Sequence, residues 1–522
     1  MQEAAPGTTL VGFVEKHVKH KPDGIAIHYG DQQWTWEQWA SRIRQAAGAL
    51  RAAGVQRGQC VAFLDKNHPG CLETLIGAVS IGAAATIANW RMTGEELVHV
   101  LNDSGARLLF VGAELAPTVE EIRARVPGLE RLVVVGGPGD KHGDEYESWL
   151  AAATPAAADP DVDDNDTALV IYSSGTTGRP KGVLLSQRAL VNHIVNMAPP
   201  FPFEDGDANL VAMPLFHVGG VSYAFFGIMA GAPTFLTREP EAATLIGAVK
   251  AGATHAFFVP PVIARFLNAG DAAINAISGL RYLVYGAAPM PMSLLQRALE
   301  AWPEMNFVQV YGQTELCGGI SALDPDEHRD STRQHLLLSA GKALPGNEIR
   351  IVNPQSDEQL PIGEPGEIWV RSNQRMSGYL NRPQATADTI TAEDWLRTGD
   401  IGRLDADGYL YIEDRLKDMV ITGGENVYGP EVESVLIEHP AIADAAVIGV
   451  PDDFWGESVK AIVVTTTEIE PAEIIEFCRR HLAAYKCPRT VDFAPSLPRN
   501  ASGKILKTEL RQPYWQDRAR RV

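Results

Sequence analysis

The chain reads as an α/β protein closed by a small α+β domain, and three observations carry that reading. Short apolar runs rich in strand formers alternate with amphipathic stretches of helical period, the pattern of layered strands and helices. Three of those runs end in loops that hold glycine beside polar or charged residues, and open α/β sheets bind ligands beyond the carboxyl ends of their strands. After a dense charged pentapeptide, Asp414-Arg-Leu-Lys-Asp418, a new set of strands and helices begins.

The elements follow in order. Residues 167–172 predict a buried strand, which enters a Ser/Gly/Thr loop; Ser186 then caps a helix running to about Met197. Residues 281–285 predict a second strand, leading through Gly286-Ala-Ala-Pro289 to a helix capped by Ser293. A third strand, 307–310, passes at once into Tyr311-Gly-Gln-Thr-Glu315, and a fourth is read at 408–413. The Ala-, Pro- and Asp-rich stretch 151–166 is a surface connection. Beyond residue 418, Pro430 opens a helix with Glu431 and Glu433 in its first turn, and Pro440 ends it. Strands at 444–450 and 459–464 follow, and then a helix from Pro471 with Ile474, Ile475, Cys478 and Leu482 on one face. These boundaries divide the chain into a large domain, 1–416, a hinge at Lys417 and a small domain, 418–522.

Composition narrows the class. At 522 residues, 45% apolar and 21% charged, the chain has ordinary globular usage, which excludes a disordered protein, and its glycines and prolines are too scattered for collagen. No period of roughly 20–50 residues recurs, which argues against a solenoid or propeller. A net charge of −20 repels phosphate backbones, so nucleic acid is not an expected partner. Cys60, Cys71, Cys317, Cys478 and Cys487 form no metal-like spacing and read as reduced cytosolic thiols. The N-terminus has neither a basic nor an apolar leader segment. The most apolar run, 221–236, contains Gly227, Gly231 and Pro233 and falls short of the roughly 20 residues that span a bilayer. The expectation is a cytoplasmic protein without an integral membrane segment, leaving room for peripheral membrane contact, as a monomer or homodimer.

The most informative segment is Tyr172-Ser-Ser-Gly-Thr-Thr-Gly-Arg-Pro-Lys-Gly182. Its glycines let backbone N–H groups face an anion, its hydroxyls add donors, and Arg179 and Lys181 add charge: a flexible polyphosphate cradle. It is not a Walker A loop, because Pro180 stands where the second glycine is needed. The structural alternative is a solvated turn. Tyr311-Gly-Gln-Thr-Glu315 puts an aromatic face, a hydroxyl and a carboxylate suited to Mg²⁺ on one loop, where a lone glutamate is otherwise a solvated charge or helix cap. Arg397-Thr-Gly-Asp400 offers a carboxylate acceptor for ribose hydroxyls, or is a plain β-turn. Pro498-Arg-Asn-Ala-Ser-Gly-Lys504 presents a lysine that can carry a point charge to phosphate, where a surface lysine is ordinarily just solvated.

With these residues in order, the chain resembles the AMP-forming adenylate-forming superfamily: acyl- and aryl-CoA synthetases, most nearly the fatty-acid–CoA ligases, with luciferase and peptide-synthetase adenylation domains. The resemblance covers essentially the whole chain. It implies a large domain of layered α/β subdomains with a smaller β-rich one, and a mobile C-terminal domain. It implies ATP, Mg²⁺ and coenzyme A, with an acyl-adenylate formed from a carboxylic acid and AMP displaced by a thiol. By similarity Ser173, Ser174, Gly175, Thr176, Thr177, Gly178 and Lys181 form the phosphate loop. Gly286, Ala287 and Ala288 would pass beside the adenine with Tyr311, and Gly312 and Gln313 would belong to the same cofactor site. Thr314 would contact the α-phosphate, Glu315 the Mg²⁺, and Asp400 and Arg415 the ribose. Lys504 matches the catalytic lysine. Rotation at Lys417 would withdraw it and bring in the Thr422-Gly-Gly-Glu-Asn426 segment, with Gly424 lining a pantetheine tunnel; the structural alternative for these glycines is a hairpin turn.

The stretch Pro214-Leu-Phe-His-Val-Gly-Gly220 carries His217 where amino-acid-activating relatives have an aspartate, so an ammonium would lack its partner and amino acids are poor candidates. By resemblance His217 flanks an acyl tunnel; the alternative is a structural histidine. Gly219, Gly220, Gly286, Gly318 and Gly319 are expected to leave room beside the adenylate, and Phe225, Phe226, Phe257 and Phe258 to line an apolar slot or to be plain core. The expected substrate is a fatty or other apolar acid. No carrier domain follows residue 522, which favours free CoA, and the segment 504–522, with six basic and two acidic residues, is read as an attractor of CoA phosphates or an exposed tail. The rival readings are a ligase that loads a carrier protein, a luciferase-like oxygenase and a non-catalytic acyl-binding protein.

Overall fold

The computed structural model describes residues 8–136, 145–173, 180–288, 290–422, 425–452, 455–499 and 505–516. Four sheets organise them. A seven-stranded sheet runs in the order Gly378–Tyr379, Lys181–Ser186, Thr167–Ser173, Ala84–Ile87, Cys60–Leu64, Leu108–Gly112, Arg131–Val135, parallel from Thr167–Ser173 onward. A nine-stranded sheet places Tyr282–Gly286 between His255–Phe258 and Asn306–Gln313, all parallel. The helix Val218–Ala230 is buried along nearly its whole length and belongs to the core that joins the two sheets. Its Phe225 and Ile228 are fully enclosed, each such side chain stabilising the fold by about 1.5–3 kcal/mol.

The third sheet is antiparallel and four-stranded: Asn347–Val352, Gly366–Ser372, Leu396–Leu404, Leu410–Arg415. The fourth has five strands and its own core. Ile442–Asp452 pairs with Gly456–Thr465, flanked by Val420–Thr422, Glu425–Val427 and Thr490–Phe493. The helices Gly429–Ile437 and Pro471–His481 supply Val432, Leu436, Ile474 and Cys478 to that core. The α/β class with a smaller C-terminal α+β unit is thus the observed architecture.

Several expected elements stand as read. Thr167–Ser173 is a strand, and Ser186 caps Gln187–Met197, its hydroxyl accepting from Ala189 N at 3.2 Å. Others shift. Ser293 caps nothing: the helix Met292–Ala301 starts two residues earlier than such a cap requires, after Pro291, and Ser293 falls in its first turn. The strand expected at 408–413 is Leu410–Arg415, because Gly408 takes φ +83° in a turn closed on Asp405. The third strand continues to Gln313, so Tyr311, Gly312 and Gln313 are strand residues, with Glu315 in the tight turn Thr314–Leu316.

Candidate active site

Ser173 and Lys181 are register partners across the antiparallel pair that flanks the phosphate-loop sequence. Ser174, Gly175, Thr176, Thr177 and Gly178, together with Gly424 and Lys504, lie outside the described residues. What is described converges in two clusters. In the first, Glu315 is buried, and its Oε1 accepts from Tyr379 Oη at 2.8 Å and from Ser173 Oγ at 3.5 Å. Its backbone carbonyl accepts from Met376 N at 2.7 Å, and Lys181 Nζ lies 5.0 Å from the Tyr379 ring centre.

In the second cluster, Tyr311 Oη donates to Asp400 Oδ2 at 2.7 Å, and Arg415 Nε lies 3.5 Å from Asp400 Oδ1. Asp400 and Arg415 are directly opposed on neighbouring strands, so sheet register sets that pair. Burial and the Asp400 charge push the Tyr311 phenol well above its ordinary pKa, which keeps it a donor. Gln313 Nε2 reaches Thr398 O at 3.5 Å in the same cluster. The pKa of Lys417, two residues after Arg415, is lowered by burial and then by the charges of Lys181 and Arg415. Cations gathered so closely repel one another, and an anionic ligand relieves that repulsion.

The adenine-side segment is strained. Ala287 has φ +62°, a left-handed backbone that non-glycine residues seldom adopt, and such strain concentrates at functional sites. Gly286 beside it opposes Val310, and an added Cβ would stand 2.4 Å from Val310 O. Ala288 continues the same turn, and Thr314 accepts at its backbone carbonyl from Cys317 N at 3.0 Å.

His217 joins neither cluster through a hydrogen bond. It is the residue before the helix Val218–Ala230, and its Nε2 is buried without a hydrogen-bond partner. Burial, with Arg91 adding repulsion, lowers its pKa to about 4, so the ring is neutral at physiological pH. Gly219, two residues on, packs against Phe257, whose Cε1 would lie 3.2 Å from an added Cβ.

The expectation that the pocket glycines leave space is corrected for the volume a side chain would fill. A Cβ on Gly220 would stand 2.1 Å from Pro214 O; one on Gly318 would meet His193 Nε2 at 2.8 Å; one on Gly319 would meet Met197 Sδ at 2.8 Å. These glycines admit neighbouring protein atoms. The four phenylalanines do not line one slot either. Phe257 packs on Tyr223, while Phe258 packs on Phe266 across the sheet, because adjacent strand residues face opposite ways. Beneath Gly318 and Gly319, Gln374 Nε2 donates to His193 Nδ1 at 3.0 Å and to the carbonyls of Leu316 and Gly319 at 2.8 Å. Burial lowers the His193 pKa to about 3. Sequence reasoning missed Gln374, His193 and Tyr379, whose partners are all distant in the chain.

Residues 14–380 match the AMP-binding enzyme family, and residues 431–504 match the AMP-binding enzyme C-terminal domain. The chain is 35% identical over 522 residues to the fatty acid–[acyl-carrier-protein] ligase ScoC of Streptomyces coeruleorubidus, covering 98% of each chain. It is 36% identical over 510 residues to a feruloyl-CoA synthase of an Amycolatopsis species, covering 96% of this chain and 98% of that one. Among solved structures, the o-succinylbenzoate CoA synthetase MenE of Bacillus subtilis, in complex with the acyl-adenylate intermediate OSB-AMP, aligns with a TM-score of 0.83 at 29% identity, over 95% of this chain and 97% of that one. Among the described residues no helix is long and apolar enough to cross a membrane.

Proposed function

We infer the chemistry from the family: the chain belongs to the AMP-binding enzymes and is an AMP-forming acid–thiol ligase. With ATP it converts a carboxylic acid to an acyl-adenylate and pyrophosphate, and a thiol, CoA, then displaces AMP. The proposed acid is fatty or otherwise apolar. The convergence of Ser173, Lys181 and Glu315 with Tyr311, Asp400 and Arg415 around one cationic focus carries this reading.

The substrate acid is already ionised at neutral pH, so no general base is required. Its oxygen must approach an α-phosphate of the same charge. Lys181 and the loop before it draw the outer phosphates away, while Asp400 and Arg415 hold the ribose and the strained Gly286-Ala287-Ala288 turn lies along the adenine. The Tyr311 ring, anchored through its hydroxyl, offers its face to the purine. Thr314 meets the α-phosphate, and Lys504 places an ammonium between that phosphate and the attacking carboxylate. Glu315 would hold Mg²⁺, which supplies charge neutralisation on the phosphates. The donor set fits such an ion: one buried carboxylate with hydroxyl neighbours leaves the remaining coordination to phosphate oxygens. Neutral His217, with its Nε2 unpaired, flanks the acyl group and gives an ammonium no counter-charge.

The domain boundary is proposed at Lys417, with rotation there exchanging Lys504 for the segment bearing Gly424. A second reading, loading of a carrier protein, is favoured by the full-length similarity to a ligase of that type. The test is pyrophosphate and AMP release with acids of graded chain length and aryl acids, each with CoA or an acyl-carrier protein as acceptor. AMP formed one-for-one with acyl-CoA from apolar acids is expected. Turnover only with the carrier selects the second reading, and no AMP with any acid defeats both.

A further inference from the structure

Two side chains assigned to the phosphate site are held by a third that no motif marks. Tyr379 stands on the two-residue strand Gly378–Tyr379, which pairs antiparallel with Lys181–Ser186 and sets Tyr379 opposite Val183. Its seat is pinned along the backbone. Ser377 N donates to Leu184 O at 2.9 Å, Leu380 N to Gly182 O at 2.8 Å, and Tyr379 N to Thr386 Oγ1 at 2.8 Å. From that seat the phenol donates to Glu315 Oε1 at 2.8 Å, and the ring face takes Lys181 Nζ at 5.0 Å. Met376, three residues earlier, holds the Glu315 backbone carbonyl. One short segment therefore fixes the glutamate at both ends and seats the lysine.

We propose that Tyr379 is a positioning residue of the phosphate site: its hydroxyl engages one oxygen of Glu315 and leaves the other to the divalent cation, while its ring holds Lys181 beside the phosphates. The proposal rests on the assignment of Glu315 to Mg²⁺ and of Lys181 to phosphate. A glutamate already fixed in one rotamer loses less freedom when a cation binds. Partners that orient a metal-binding side chain typically govern affinity by about 10–100-fold.

The test is Mn²⁺ binding to the full-length, ATP-saturated protein, followed by the electron paramagnetic resonance signal of free Mn²⁺, with ATP binding in EDTA measured alongside. Tyr379→Phe keeps the ring and removes the hydroxyl. It should raise half-saturating Mn²⁺ about tenfold and leave metal-free ATP affinity unchanged, which also shows that the variant is folded. Tyr379→Leu removes the ring as well and should additionally weaken metal-free ATP binding several-fold. Glu315→Gln should raise half-saturating Mn²⁺ at least as far as Tyr379→Phe. If Glu315→Gln leaves Mn²⁺ binding unchanged, the glutamate assignment falls and the tyrosine's role with it. If Glu315→Gln weakens it and Tyr379→Phe matches wild type, the tyrosine's role alone is overturned. Equal loss of ATP binding with and without metal in Tyr379→Phe also overturns it.

Discussion

Two buried charge clusters, far apart in the chain, are built on opposite plans. In the N-terminal α/β layers Arg42 grips Glu73 with both arms, at 2.7 and 3.1 Å, and Tyr146 Oη donates to the same carboxylate at 2.9 Å. All three sit on helices packed into one hydrophobic core. At the junction between the third and fourth sheets, Asp414 on Leu410–Arg415 accepts from Gly429 N at 2.7 Å, across the proposed hinge. Lys507 pairs with Glu433 at 2.8 Å and attracts Asp414, and Arg511 donates to Lys417 O and pairs with Asp418, both at 2.8 Å. The first cluster satisfies every partner inside one body. The second ties the hinge to the segment that follows Lys504, and burial leaves Asp414 with a pKa pushed up to about 6 despite Lys507. Charge in a core can serve packing alone; charge at a joint also sets which arrangement of the joint is stable.

The largest effect expected belongs to the core cluster. Glu73→Ala leaves Arg42 only the half-exposed Glu147 as its carboxylate and takes the carboxylate acceptor from the buried Tyr146 hydroxyl; it should cost about 3 kcal/mol in denaturant unfolding, with the ratio of the two half-reactions unchanged in the protein that remains folded. A stability loss under 1 kcal/mol would dissolve the contrast. Next, Lys504→Ala should slow adenylate formation by about 10²–10³-fold while supplied acyl-AMP still reacts with CoA; equal loss in both halves counts against a lysine that serves only one. Lys507→Met deprives two carboxylates of their cation at the joint. It should cost about 1–3 kcal/mol and, unlike Glu73→Ala, alter the ratio of pyrophosphate exchange to thioester formation. An unaltered ratio makes the two clusters equivalent.

The smallest effect sharpens the comparison by pH. Because the folded pKa of Asp414 lies above its unfolded value, its contribution to stability is complete below the unfolded pKa and is lost as pH rises through about 6. The stability of wild type relative to Asp414→Asn should therefore fall by about 2 kcal/mol between about pH 4 and 6 and level off above. A flat difference would mean that Asp414 titrates normally.

What the sequence revealed was local. The glycine- and hydroxyl-rich loop, the Ser186 cap and the parallel strands ending near Gly286 and Tyr311 all announce themselves within about ten residues. What it concealed was pairing across distance. Tyr379 lies 64 positions from Glu315 and Tyr311 lies 89 from Asp400, so neither bond leaves a trace in spacing. The pocket glycines misled for the same reason. A glycine signals close approach, but only the fold shows whether the visitor is a ligand or, as at Gly318 and Gly319, a side chain from Gln187–Met197.

The two glycines differ in what they would tolerate. The floor under Gly319 is a thioether reaching up from a helix, so bulk at position 319 and length at position 197 trade against each other, whereas Gly318, at φ +130°, resists a side chain whatever stands at position 193. Related chains with alanine at 319 should carry a shorter residue at 197, and substitutions at these two positions should be made jointly.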